Sequence, residues 1–338
     1  MAESRNANGG SLLPFERKIS PLQQQIEQLE AAQLETGRDY SSEIRELRNQ
    51  YIALLRKTYE SLAPWEIVQV ARHPDRPLGQ DYIDRIVRDF VELHGDRRFA
   101  DDRAIRTGLG RIGGEKVAVL AQHKGRDTRE KIECNFGCAH PEGYRKAMRV
   151  MRLAEKFCLP VVTLIDTAGA YPGIGSEQRG VAEAIAVNLR DMSRLRTPIV
   201  CVVIGEGGSG GALGVGVGDR IAIMQYAYYS VISPEGCASI LWRTGEKAPE
   251  AAEAMKITPK HLKELDIVDD IIEEPLGAAH RAPAEAAANL EHYIGRTVRQ
   301  LQRIDTDRLL DERYARWRRM GKVLEGAALT PKTAAQPD

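Results

Sequence analysis

The sequence predicts an α/β protein built around a mostly parallel sheet. Residues 160–166 and 198–204 are largely apolar runs, as expected of strands buried on both faces. Each run empties into a glycine-containing loop and then a helical pattern, the alternation that lays helices over a sheet. Only 104–111 and 116–123, on either side of Gly113-Gly114, read as a hairpin.

The remaining elements follow in chain order. Residues 1–19 read as a disordered tail. Residues 20–62 carry apolar side chains at helical spacing (Leu22, Ile26, Leu29, then Ile44, Leu47, Tyr51, Leu54), broken at Gly37, and predict a helical hairpin. Residues 63–80, with three prolines, read as a connector. The compact core spans 81–275. Within it, helices are expected at 141–157 and 177–195, and strands at 220–225 and 229–232. Ser233-Pro234 opens a further helix, with Ser as the cap and Pro in the first turn. Residues 276–325 read as Arg-rich helices and 326–338 as a second disordered tail.

Composition narrows the function. The 338 residues hold 48 Lys plus Arg against 48 Asp plus Glu, so no global charge draws the chain to nucleic acid or an anionic membrane. No uncharged stretch reads as a membrane span, and the first residues lack the apolar core of a signal peptide. Five cysteines, an odd number scattered over a long chain, point to a reducing cytoplasm rather than a disulfide framework.

The strongest local signal is Gly205-Glu206-Gly207-Gly208-Ser209-Gly210-Gly211, with five glycines in seven residues at the expected strand-to-helix junction. Glycine lets a ligand approach the main chain, and free N–H groups there can bind an anion or an oxyanion. Gly205-x-Gly207-x-x-Gly210 matches a dinucleotide fingerprint, yet the next strand ends in no acidic residue that would hold a ribose. Gly207-x-Ser209-x-Gly211 matches a nucleophile elbow. A hydrolase would need a histidine and an acid brought to Ser209; His261, His280 and His292 lie downstream in no recognisable triad signature. Cys134-x3-Cys138-x-His140 lacks the second ligand pair of a zinc site, so no metal is expected. A second loop, Thr167-Ala168-Gly169-Ala170-Tyr171-Pro172-Gly173, leaves the preceding strand on the same side as the glycine run, where open α/β sheets bind ligands. Lys124-Gly125-Arg126 reads either as added positive charge or as a solvated turn. A non-catalytic scaffold remains a further reading.

Taken together, residues 166–173, 205–213, 231–242 and 141–147, with His123-Lys124-Gly125-Arg126 and 276–281, resemble the carboxyltransferase alpha subunits of bacterial acetyl-CoA carboxylases. The likeness runs from about residue 20 to residue 320. It implies a crotonase-like (ClpP/crotonase) superhelix of ββα units and an alpha2beta2 assembly active only with the beta subunit. That subunit would bring a zinc ribbon and the acyl-CoA side. Carboxybiotin would arrive on the biotin carboxyl carrier protein, charged by an ATP-dependent biotin carboxylase. Acetyl-CoA would leave as malonyl-CoA for fatty acid biosynthesis. The resemblance implies that backbone N–H groups of Gly207 and Gly208 form the oxyanion hole for the biotin enolate. It assigns Gly169, Ala170, Tyr171, Pro172, Gly173 and Ser209 to the biotin pocket. No side-chain base would be needed. Ala168 and Cys138 depart from the family pattern without removing a donor.

Overall fold

The computed structural model describes residues 12–321. The helical elements begin with α1 (Ser20–Thr36) and α2 (Ser41–Glu60), the predicted hairpin; Gly37 ends α1 in the left-handed region at φ +69°. Short helices α3 (Pro64–Ala71) and α4 (Gly79–Ile86) lead into β1 (Arg88–Glu92), β2 (Ile105–Ile112) and β3 (Glu115–Gln122). Then come α5 (Thr128–Glu133), α6 (Pro141–Lys156), β4 (Val161–Thr167), α7 (Ile174–Gln178), α8 (Val181–Met192), β5 (Ile199–Gly208) and α9 (Ser209–Leu213). The chain continues through β6 (Arg220–Met224), β7 (Tyr228–Ser230), α10 (Pro234–Trp242), α11 (Ala248–Met255), α12 (Pro259–Glu264) and β8 (Asp270–Ile272). It closes with α13 (Pro283–Leu301) and α14 (Thr306–Arg319).

The sheet runs β1-β2-β3-β4-β5-β6-β8, with β7 paired separately to the end of β5. The β1–β2 and β2–β3 pairs are antiparallel; every later pair is parallel. Gly113 and Gly114, both at positive φ, make the two-residue turn between β2 and β3, a backbone shape that matches strand twist. All residues of β4 and β5 are buried, which explains why both read as apolar runs. Helix α6 packs on α8, β2 and β3, while α13 reaches β2, β3, β5 and β8. Among the described residues, no helix is long and apolar enough to cross a membrane.

Several boundaries differ from those read in the sequence. The tail expected over 1–19 is ordered from residue 12: Pro14–Lys18 form a 3-10 helix, and Ile19 is buried against Leu55 and Tyr59. Buried Glu16 accepts hydrogen bonds from Tyr59 Oη at 2.8 Å and from Arg281 at 2.5 Å, closing the hairpin onto the segment before α13. Residues 1–11, the last four residues of the expected helical stretch, 322–325, and the expected C-terminal tail, 326–338, lie outside the described residues. The connector at 63–80 is largely helical. Pro64 opens α3 instead of breaking it, and the Glu66 carboxylate accepts the Ala63 N–H at 2.7 Å. The single helix expected at 177–195 is two, divided at Gly180, φ +77°. Strand β5 runs four residues beyond Ile204, through the glycines that the sequence placed in a turn. Ser233 does cap α10, accepting the Gly236 N–H at 3.1 Å.

The C-terminal helix is fastened by one buried cation. Arg313 donates to both carboxylate oxygens of Asp219 at 2.7 Å and to the carbonyls of Met192, Leu195 and Thr197 at 2.8 Å. Removing the cation alone would leave Asp219 a buried, unpaired charge. Arg313→Met is expected to destabilise the chain by about 3–5 kcal/mol, read as a lower denaturant midpoint, and an unchanged midpoint would contradict this role for the pair.

Candidate functional site

The carboxyl ends of β3, β4 and β5 converge on a bulge. Ile165 pairs with Val203, but the next pair is Thr167 with Gly207, so β5 carries extra residues where β4 does not. The bulged strand cannot bond its neighbour regularly there. The Asp166 carboxylate substitutes, its Oδ1 accepting the Glu206 N–H at 2.9 Å. Lys124, just past β3, places its Nζ 2.8 Å from Asp166 Oδ1 and 2.8 Å from Glu206 Oε2. Arg72, at the end of α3, bonds the other Glu206 oxygen at 2.8 Å, and also Glu235 of α10 at 2.6 Å. The Tyr228 hydroxyl of β7 donates to Glu206 as well. Buried Gln122 completes the frame: its amide donates to the Gly211 carbonyl at 2.8 Å and its oxygen accepts the Asp166 N–H at 3.0 Å.

Electrostatics follow from this geometry. Burial alone would raise the Glu206 carboxyl, but Lys124 and then Arg72 outweigh it and hold the group down at about 2. Burial would lower the Lys124 ammonium; Asp166 and Glu206 outweigh that and raise it. The Tyr228 hydroxyl is pushed up by burial and by the adjacent Glu206 anion, so it stays a donor. The cluster lines one side of a cleft of about 240 Å³ with Arg126, Lys131 and the exposed ring of Phe136.

The glycines are required by close approach. A Cβ on Gly208 would sit 2.1 Å from the Ala168 carbonyl oxygen, and one on Gly211 would sit 2.4 Å from the Gly169 carbonyl carbon. The two glycine-containing loops predicted to share a side are therefore in backbone contact. Gly207 and Gly208 are buried within the strand, pairing with Tyr229 and Ser230 of β7. Ser209 makes the turn at φ +49° and is half-buried. Gly169, Ala170, Tyr171 and Gly173 are half-buried, and Pro172 is exposed. Their loop is held by Thr167 Oγ1, which donates to the Gly137 carbonyl at 2.6 Å, and by Tyr171, whose N–H donates to the Ala139 carbonyl at 3.0 Å and whose ring lies 4.3 Å from that of His140.

Beside the turn lies an apolar cavity of about 510 Å³, lined by Ser209, Gly210, Leu213, Tyr229, Val231 and Trp317 among others. The Trp317 indole N–H is buried without a hydrogen-bond partner. Residues 169–173 do not line this cavity, although Gly169 abuts Gly211. Ser209 thus separates from the other expected pocket residues. Among the described residues no histidine or carboxylate lines the cavity: His280 is stacked on His73 at 4.0 Å, His261 bonds Thr258, and His292 is exposed on α13. His140 bonds Ser176 at 2.6 Å, and the five cysteines are free.

Sequence reading did not find Arg72, Gln122, Glu206 or Tyr228, and left Lys124 undecided. Glu206 alone carried a signal, as a carboxylate inside an otherwise apolar and glycine-rich strand. Arg72 was hidden in a stretch read as a connector.

The fold is that of the crotonase-like class. The solved transcarboxylase 12S hexamer core, with methylmalonyl-CoA bound, superposes with a TM-score of 0.52 at 22% identity, over 68% of this chain and 44% of that one. A Pseudomonas malonate decarboxylase hetero-tetramer in complex with coenzyme A gives 0.52 at 16% identity, over 66% and 91%. The family model described as acetyl co-enzyme A carboxylase carboxyltransferase-like matches residues 12–321. The acetyl-coenzyme A carboxylase carboxyl transferase subunit alpha of Rhodopirellula baltica is 52% identical over 94% of this chain and 99% of its own length. That of Teredinibacter turnerae is 54% identical over 90% and 96%. The chain belongs to the acetyl-CoA carboxylase carboxyltransferase alpha-subunit family.

The depressed Glu206 carboxyl has a pH signature. Its stabilisation is fully present above the ordinary value of 4.5 and is lost as pH falls through about 2. Glu206→Gln should therefore be less stable than the parent at pH 7, with the gap in urea midpoint narrowing as pH falls below 4.5. A gap independent of pH would contradict the assignment.

Proposed function

We propose that this chain is the biotin-side half of a split carboxyltransferase site, moving a carboxyl group from carboxybiotin to acetyl-CoA to give malonyl-CoA for fatty acid biosynthesis. The observation that carries the reading is that β5 ends in side-chain-free backbone, Gly207 and Gly208, against Tyr229 at the wall of an apolar cavity. The residues present suit the biotin group: apolar walls for its ring and chain, the Ser209 hydroxyl, and an indole N–H with no partner of its own. Bound carboxybiotin supplies the activated carboxyl group.

The main-chain N–H groups of Gly207 and Gly208 stabilise the oxygen on which charge develops. A preorganised N–H in a water-excluded site contributes about 3 kcal/mol to such stabilisation. Gly169, Ala170, Tyr171, Pro172 and Gly173 border the approach and shape the entry for biotin. The proton is taken by the biotin nitrogen, so the reaction needs no side-chain base at the turn. Acyl-CoA binds on the beta subunit, which carries the zinc ribbon, in an alpha2beta2 assembly. The biotin carboxyl carrier protein and biotin carboxylase complete the system in the cytoplasm. The exposed apolar side chains Val231, Ile240 and Leu241, and the half-exposed Trp242, support a partner surface near the turn.

The test is malonyl-CoA-dependent carboxylation of free biotin by the chain mixed with its beta partner. Activity is expected only in the mixture. In that mixture Gly207→Val should lower kcat about 10²–10³-fold while the subunits still assemble by size-exclusion chromatography. Ser209→Ala should stay within about threefold, as expected of a residue that is not the nucleophile. Ester hydrolysis by the chain alone, lost in Ser209→Ala, would replace this reading with a serine hydrolase.

A further inference from the structure

The bulge in β5 determines where Gly207 and Gly208 stand, and something must hold it. Regular pairing ends at Ile165 and Val203 and resumes only at Thr167 and Gly207. Between them, the Glu206 N–H has left the regular ladder and is taken by Asp166 Oδ1. Gly205 has no side chain because a Cβ there would meet the same oxygen at 2.7 Å. The strand is thus drawn against the Asp166 carboxylate and brings the Glu206 carboxylate with it. Two anions are thereby forced together: one oxygen of each lies 2.8 Å from the Lys124 Nζ, and so within twice that distance of the other. Two carboxylates this close in a poorly solvated site repel strongly unless a cation lies between them. Lys124 is that cation, and it comes from a third strand end, one residue beyond His123. Arg72 bonds only the far oxygen of Glu206 and does not bridge to Asp166.

We propose that Lys124 is a positioning residue for carboxyl transfer: its ammonium clamps the ends of β4 and β5 together, keeps the bulge closed and so fixes the Gly207 and Gly208 N–H groups. This rests on the oxyanion role given to those glycines above. Lys124 acts through Asp166 and Glu206. Without it, Asp166 and Glu206 move apart, the Glu206 N–H bond opens, and the glycine pair loses its alignment while the apolar body of the sheet, from Val161 to Ile165, stays paired.

The test uses the assembled alpha–beta enzyme and free biotin with malonyl-CoA. Lys124→Met keeps the length of the side chain and removes the charge. It is expected to lower kcat at least 30-fold per assembled enzyme, with KM for malonyl-CoA within twofold and the assembly intact. Lys124→Arg, which keeps a cation with two separated donors, should recover at least one third of the parent kcat. The double variant Lys124→Met with Glu206→Gln relieves the repulsion and should be no slower than Lys124→Met alone. A kcat within threefold of the parent in Lys124→Met, or a loss that only tracks the fraction of enzyme assembled, overturns the proposal. Should Lys124→Met not assemble, Lys124→Gln replaces it under the same limits. Gly207→Val run in parallel separates the two claims. An active Gly207→Val sinks the oxyanion reading, whereas an inactive Gly207→Val beside an active Lys124→Met sinks only the clamp.

Discussion

A carboxylate buried in a glycine-rich strand is the constraint around which the rest of the site is arranged. Glu206 is 6% exposed, yet it sits among residues that offer a charge nothing but backbone. Partners had to be brought from elsewhere: Lys124 from the end of β3, Arg72 from the end of α3 and Tyr228 from β7. Each contact fixes the relative position of an element that sequence distance leaves free. The short strand β7 is attached to the sheet through the same three residues, 206–208, that end β5. The charge thus organises the neighbourhood of the glycines without itself lying in the cavity beside Ser209.

Steric constraint and electrostatic constraint are separate here. The glycine pattern answers to backbone contact: Gly208 and Gly211 lie against Ala168 and Gly169, and Gly205 against Asp166. A polar network alone could not bring two main chains this close, and glycines alone would leave the loops free to slide. The combination gives a turn at Ser209 whose surroundings are set on both sides, with an apolar hollow next to it. Preorganisation of this kind is what backbone donors need in order to contribute to catalysis.

Much of this was legible in the sequence, and the parts that were not have identifiable causes. The parallel core was readable because β4 and β5 are buried on both faces, so their apolar composition had no competing explanation. The hairpin at Gly113-Gly114 and the cap at Ser233 were readable because turn and cap chemistry is local. The end of β5 was misplaced because glycine disfavours strands by propensity, and only tertiary pairing with Thr167 and β7 overrides it. The helix α3 was missed because proline was read as a breaker when it stands at the first turn. The charge cluster joins residues 72, 124, 166, 206 and 228, and no spacing rule connects such positions in one sequence. Family resemblance pointed to the glycines but did not reveal what holds them.

The latch formed by Arg313 also bears on the order in which the chain can finish folding during synthesis. Asp219 and the carbonyls of Met192, Leu195 and Thr197 are made long before their partner, which arrives 94 residues after Asp219 on the last described helix. Until α14 leaves the ribosome, the Asp219 carboxylate has the Ile199 N–H as a partner but no cation, and the three carbonyl oxygens lack the Arg313 donor.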